Sequence, residues 1–228
     1  TNIHRETVSE VLKKYEWDDK EFYSKKKENL EIYDLAFKKA SIYAKKIFES
    51  IEDLKKPNET IVIFFSDHGT GVGERFGERN YGVFTYEETI RTFYLFLGNL
   101  ISKNKNSDSL LRTIDILPTI LDLCKIDTPL KLDGKSFSPF LLNTEEKLSD
   151  TPYTFSETGG LQGPFPSPME PNVFCIKSSN YKLIYFLSSN KWELYDIKKD
   201  PNEENNIYNS GLEIEKILKE NLLTWKNR

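Results

Sequence analysis

Asp67 and His68 stand next to each other, one residue after the apolar run Ile61-Val-Ile-Phe-Phe65 and immediately before a glycine. A carboxylate and an imidazole are both ligands for divalent cations. On an extended chain neighbouring side chains point apart, but where a strand turns into a loop the two can converge on one ion. An isolated Asp-His-Gly would equally suit a turn cap beside a surface histidine. The preceding run shifts the balance toward a ligand pair: ionisable groups at the end of a buried strand need a partner, and a bound cation would be one. Glycines at 69, 71, 73, 77 and 82 follow, which lets the backbone come close to a ligand. Beyond His68 the chain has one other histidine, His4.

Such a pair is useful only if the surrounding elements hold it still. From Leu30 apolar residues recur at three- and four-residue steps (Tyr33, Ala36, Phe37, Ala40, Tyr43, Ile47, Ile51 and Leu54), which predicts a helix with one apolar face. Pro57 and Asn58 end it. Thr60–Phe65 then reads as a strand buried on both sides, as in a parallel sheet covered by helices. The long loop 66–82 leaves its C-terminal end, where open α/β sheets build their sites. Thr92–Leu97 reads as a second buried strand. A helix follows near 114–124, with Asp115 as its N-cap and Pro118 in its first turn. Residues 125–170 are rich in loops. Three short runs, 173–176, 181–187 and 192–196, read as an antiparallel meander, and an amphipathic helix carrying Ile214, Ile217, Leu218, Leu222 and Trp225 ends the chain. The expected fold class is therefore α/β, with residues 1–170 in one unit and 171–228 in a small antiparallel subdomain.

Several function classes are excluded or disfavoured by composition. A net charge of −4 over 228 residues gives no basic footprint for nucleic acid. The Lys25-Lys26-Lys27 run reads as a solvated helix face. No apolar stretch is long enough to span a bilayer, and no signal pattern opens the chain. Cys124 and Cys175 form no disulfide framework and no zinc spacing. These features favour a cytoplasmic location; oligomeric state is not legible.

Four segments, in one order, carry a family resemblance. Thr60-Ile-Val-Ile-Phe-Phe-Ser-Asp-His-Gly69 resembles the metal-loop strand of the sulfatase branch of the alkaline-phosphatase superfamily. Tyr86-Glu-Glu-Thr-Ile-Arg-Thr-Phe93 is similar to that family's Y-x-E/D-x-x-R-V-P segment. Asp115-Ile-Leu-Pro-Thr-Ile-Leu-Asp-Leu123, with Leu132-Asp-Gly-Lys-Ser136, resembles its D-x-x-P-T run and the d-G-x-S that follows. Glu193-Leu-Tyr-Asp-Ile-Lys-Lys-Asp-Pro-Asn-Glu-Glu-Asn205 resembles its E-L-Y-D…D-P-x-E-x-x-N stretch. Each pattern alone is weak, but their shared order is not.

The resemblance implies an α/β/α sandwich with a mainly parallel sheet, followed by a small antiparallel sheet and a terminal helix. It implies metal-dependent hydrolysis of sulfate esters on a small molecule or glycan. Phosphoester or phosphonate hydrolysis, phospho-substituent transfer and a non-catalytic binding module are the alternatives. In relatives the Asp-His pair supplies two ligands of a divalent cation, so Asp67 and His68 carry over. The resemblance favours calcium, while an imidazole ligand leaves manganese, magnesium and zinc open. His4 stands about where relatives place a histidine that contacts the ester or a metal. Tyr81 stands where relatives carry a His or Lys; it would either donate a hydrogen bond to the ester or pack as a loop aromatic. The family's nucleophile motif, C/S-x-P-x-R, occurs nowhere in these residues. The chain is thus expected to be the C-terminal part of a longer enzyme and inactive alone.

Overall fold

The computed structural model describes residues 20–52, 60–76, 84–107, 109–148, 151–158 and 171–228. His4 and Tyr81 lie outside them. Two helices open the described chain, α1 (Lys20–Ser24) and α2 (Lys26–Glu52), separated only at Lys25. The long helix predicted from periodicity is present, but its apolar stripe is not covered by described residues. Phe37 is 56% exposed and Tyr43 67%. Its anchorage lies at the N-terminal end instead. There the Asn29 amide donates to the Phe22 carbonyl at 2.8 Å and to the Val72 carbonyl at 3.0 Å.

Strand β1 (Val62–Phe65) pairs with β2 (Tyr94–Leu97) in antiparallel register, Val62 opposite Leu97 and Phe65 opposite Tyr94. The mainly parallel sheet expected from sequence is therefore not found: every strand pair among the described residues is antiparallel. Nor is β1 buried on both sides, since Phe65 is half exposed and the other three residues only partly covered. The reason is that an apolar run reports what a strand prefers to have beside it, not the direction of its neighbour. Between the two strands lies α3 (Glu87–Ile90), a single turn within the segment resembling Y-x-E.

After β2 comes α4 (Ile116–Leu123), preceded by a 3₁₀ turn at Thr113–Asp115, and then the short α5 (Ser138–Leu141). Asp115 does not cap α4 with its side chain. The 3₁₀ turn gives it helical dihedrals, whereas a capping side chain needs an extended residue. Its carboxylate instead accepts from the Arg112 guanidinium at 2.7 Å and the Lys135 amide at 2.8 Å.

The C-terminal sheet runs β3 (Thr154–Thr158), β4 (Val173–Lys177), β5 (Tyr181–Phe186) and β6 (Lys191–Asp196), a four-stranded antiparallel meander. Strand β3 comes from the stretch read as loop and pairs Thr158 with Val173. Both faces of the sheet are covered. Phe174, Ile176, Leu183 and Leu194 pack under α6 (Glu213–Lys226), where Leu218 and Leu222 are fully buried. On the other face Val173, Cys175, Ile184, Phe186 and Tyr195 meet Tyr86, with Phe84 and Ile90 beside it. The segment 84–90 is thus sandwiched between the C-terminal sheet and the loop that follows β1.

Candidate functional site

The loop begins where β1 ends. The Ser66 amide donates to the Phe93 carbonyl, and the Phe93 amide to Ser66 Oγ, both at 3.3 Å, so the last rung of the β1–β2 ladder sets the start of the loop. Asp67 and His68 follow, both exposed, with 83% of the Asp67 side chain and 42% of the His68 side chain open to solvent. They turn toward each other. The His68 amide donates to Asp67 Oδ1 at 2.9 Å, and His68 Nε2 lies 3.6 Å from Asp67 Oδ2. Nδ1 of His68 sits 2.6 Å from the Gly69 carbonyl oxygen. That contact is a hydrogen bond only if Nδ1 carries the proton, so in the neutral ring Nε2 holds the lone pair. A backbone carbonyl commonly selects the tautomer of a metal-binding histidine in this way.

The donor set fits half of a divalent-cation site. Two ligands at about 2–2.5 Å from one ion, at adjacent coordination positions, are separated by about 3–3.5 Å. The 3.6 Å between Asp67 Oδ2 and His68 Nε2 needs little adjustment to meet this. Among the described residues no group of three or more His, Cys, Asp or Glu side chains completes the set. His4 and Tyr81, expected in the same site, lie outside the described residues.

Gly69 is why the loop can turn here. Its amide donates to the Thr89 carbonyl at 2.8 Å. A methyl group on its Cα would stand 2.2 Å from the Glu88 carbonyl oxygen, an approach only glycine permits. Further on, Gly73 has φ +118°, a conformation strained for any L side chain, and this carries the chain past α1. Gly69, and with it the start of the loop, is therefore seated on Glu88 and Thr89, within the segment 86–90.

Those residues are clamped in turn by a set of buried charges that the sequence reading did not single out. The Tyr86 hydroxyl donates to Glu193 Oε2 at 2.6 Å; Tyr195 donates to the same oxygen at 2.7 Å, and Lys191 holds Oε1 at 2.6 Å. Burial works to raise the Glu193 carboxyl, but these three hydrogen bonds outweigh it and keep it below the usual glutamate range. Burial and the Glu193 carboxylate push the hydroxyls of Tyr86 and Tyr195 far up, so both remain protonated donors. The Glu87 carboxylate accepts from Lys177 at 2.7 Å and Lys182 at 3.2 Å, and its amide donates to Glu203 Oε2 at 2.7 Å. Lys182 and Glu203, both with fully buried side chains, pair at 2.9 Å. Burial alone would depress the Lys182 ammonium, but Glu203 and Glu87 beside it reverse the sign and keep it charged. Lys182 alternates with Leu183 on β5, so it shares a face with Ile184 and Phe186. A lysine at a core-facing parity position was the available signal.

Two family models match this chain. One, described as Sulfatase, covers residues 6–126; the other, N-sulphoglucosamine sulphohydrolase, C-terminal, covers residues 77–228. A Delta 4,5-hexuronate-2-O-sulfatase of Bacteroides thetaiotaomicron is 31% identical over 190 residues, 79% of this chain and 38% of that protein. A solved structure of a protein in complex with its substrate D-glucosamine-2-N,6-O-disulfate aligns with a TM-score of 0.68 and 26% identity, over 80% of this chain and 37% of that one. The chain thus spans little more than a third of the length of these relatives. A further relative, 28% identical over 109 residues (48% of this chain, 10% of that protein), is named an extracellular SULF-1 homolog of Drosophila melanogaster, which gives no ground for the cytoplasmic expectation. No helix among the described residues is long and apolar enough to cross a membrane. With both family models and the 31%-identical sulfatase in agreement, the chain belongs to the sulfatase family.

Proposed function

We propose that the protein carrying this chain hydrolyses sulfate esters on a glycan, using a divalent cation that Asp67 and His68 help to hold. The observation that supports this most directly is the convergence of Asp67 Oδ2 and His68 Nε2, with the ring tautomer chosen by the Gly69 carbonyl. A bound cation supplies Lewis-acid stabilisation of charge on the ester oxygens. The protein's share is positional. Asp67 and His68 present one oxygen and one nitrogen at fixed separation, Gly69 lets the loop lie against residues 88–89, and the buried clamp keeps that seat rigid.

Calcium is the metal this reading favours, by family resemblance, and the hexuronate sulfatase and the glucosamine-disulfate complex among the relatives point to sulfated sugars as the substrate class. The 228 residues contain no C/S-x-P-x-R segment, so the chain is expected to be inactive alone, with the nucleophile supplied from elsewhere in the protein. His4 and Tyr81 are candidate contacts to the ester. The test is sulfate release from a 2-O- or 6-O-sulfated disaccharide by the intact protein, with a phosphonate monoester as control. Activity abolished by chelation, restored by calcium and reduced at least about 10²-fold by Asp67→Asn is the expected result. Turnover of the phosphonate but not the sulfated sugar would assign the site to a different ester, and chelator-resistant turnover would remove the metal from the reading.

A further inference from the structure

The loop carrying Asp67 and His68 touches Glu88 twice. At its start Gly69 is pressed against the Glu88 carbonyl, with its amide bonded to the neighbouring Thr89 carbonyl at 2.8 Å. At its end Arg75 Nε donates to the Glu88 carboxylate at 3.1 Å. The segment from Gly69 to Arg75 therefore begins and ends on one residue. Arg75 has two more attachments. Its guanidinium lies over the Tyr86 ring, 4.3 Å from the centroid, and its Nη2 donates to the Asn202 carbonyl in the C-terminal subdomain. The ion pair is largely out of solvent, with 20% of the Arg75 side chain and 12% of the Glu88 side chain exposed. Removing either partner leaves a charge with little water to take its place.

Resting on the reading of Asp67 and His68 as metal ligands, we propose that Arg75 and Glu88 are positioning residues: their ion pair closes the loop and holds the ligand pair at the spacing a cation requires. Neither residue need touch the substrate. They act through Gly69, whose seat against residues 88–89 exists only while the segment lies flat on α3. The fork geometry matters, because one guanidinium reaches Glu88, Tyr86 and Asn202 at once and an ammonium cannot. Displacements of about 1 Å at ligands can cost about 10²-fold in function, so a closure of this kind is where a sulfatase-like site could be lost without altering any ligand.

The test uses the intact protein and the variants Arg75→Met, Arg75→Lys and Glu88→Gln. Hydrogen–deuterium exchange of the metal-free protein reports on the loop itself. Arg75→Met is expected to speed exchange at residues 67–70 at least tenfold while amides in β4, β5 and β6 keep their rates. Calcium titration is expected to show affinity at least tenfold weaker, with Arg75→Lys recovering only part of it and Glu88→Gln, which retains an acceptor, intermediate. Unchanged exchange at 67–70, or exchange rising equally throughout the C-terminal sheet, would overturn the proposal. Should Arg75→Met fail to fold, Arg75→Lys and Glu88→Gln decide by the same criteria. If wild type binds neither calcium nor manganese, the metal reading fails, and exchange at 67–70 still decides whether Arg75 and Glu88 close the loop.

Discussion

At the scale of single residues the site depends on atoms too close to admit change. Gly69 is the sharpest case. A Cβ there would meet the Glu88 carbonyl oxygen at 2.2 Å, and the obstacle is backbone, so no rotamer relieves it. Gly69→Ala should therefore move the loop and lower affinity for calcium by at least about tenfold, while the C-terminal sheet, which it does not touch, keeps its circular-dichroism spectrum. A titration of metal against the purified variant checks this; wild-type affinity would mean the loop does not need its seat on residues 88–89. Asp67 and His68 could be picked out of the sequence as candidates because their types and their place after an apolar run are local facts. The tautomer-setting contact from His68 Nδ1 to the Gly69 carbonyl was not, since a loop's turn is invisible in residue types. Arg75 was equally hidden. An arginine in a glycine-rich loop looks solvated until its long-range partners, Glu88 and Asn202, are known.

At the scale of elements, β5 carries the least replaceable residue outside the loop. Lys182 is fully buried between Glu87 and Glu203, and a buried pair is worth little net but costly to break. Lys182→Ala should destabilise the protein by about 3–5 kcal/mol, because two carboxylates then remain in a site with no cation. A denaturant melt with unchanged m-value would check this, and a loss under about 1 kcal/mol would contradict it. Leu222, fully buried where α6 meets the sheet, should cost about 2–5 kcal/mol as Leu222→Ala by the cavity it leaves. The meander and α6 could be read from sequence because period-2 and period-3.6 patterns with clear turn residues are local. Strand β3 could not, because Thr154-Phe-Ser-Glu-Thr158 carries one large apolar residue, Phe155, too few to show a strand period, and becomes a strand by pairing with β4. The parallel sheet was expected from apolar runs and from the family resemblance; the pairs among the described residues are antiparallel, and apolar runs do not encode strand direction.

For the whole molecule, the question is what couples the loop bearing Asp67 and His68 to the C-terminal sheet. The connection is ionic as much as apolar, and this gives it a pH signature. Glu87 and Glu193 have folded pKa values below the unfolded value near 4.5: burial opposes this, but Lys182 and Lys177 hold Glu87 down, and Lys191 with the two tyrosines holds Glu193. A depressed carboxyl contributes stability that is present above the unfolded pKa and lost as pH falls through the folded one. Glu88 has the opposite sign, raised mainly by burial, so taking up a proton favours the folded state between its unfolded and folded values. Lowering the pH from 7 to about 5 should therefore leave stability level or slightly improved. Below about 4.5 stability should fall steeply as the two clamping carboxylates protonate. Melting temperatures at pH 7, 5, 4 and 3 test this, with Glu87→Gln as the diagnostic variant. It should begin less stable at pH 7 and lose less on acidification, because the carboxylate that would have been titrated is already gone. Equal acid slopes for wild type and variant would mean that Glu87 does not hold the two halves together, and that the apolar contacts around Tyr86 carry the coupling alone.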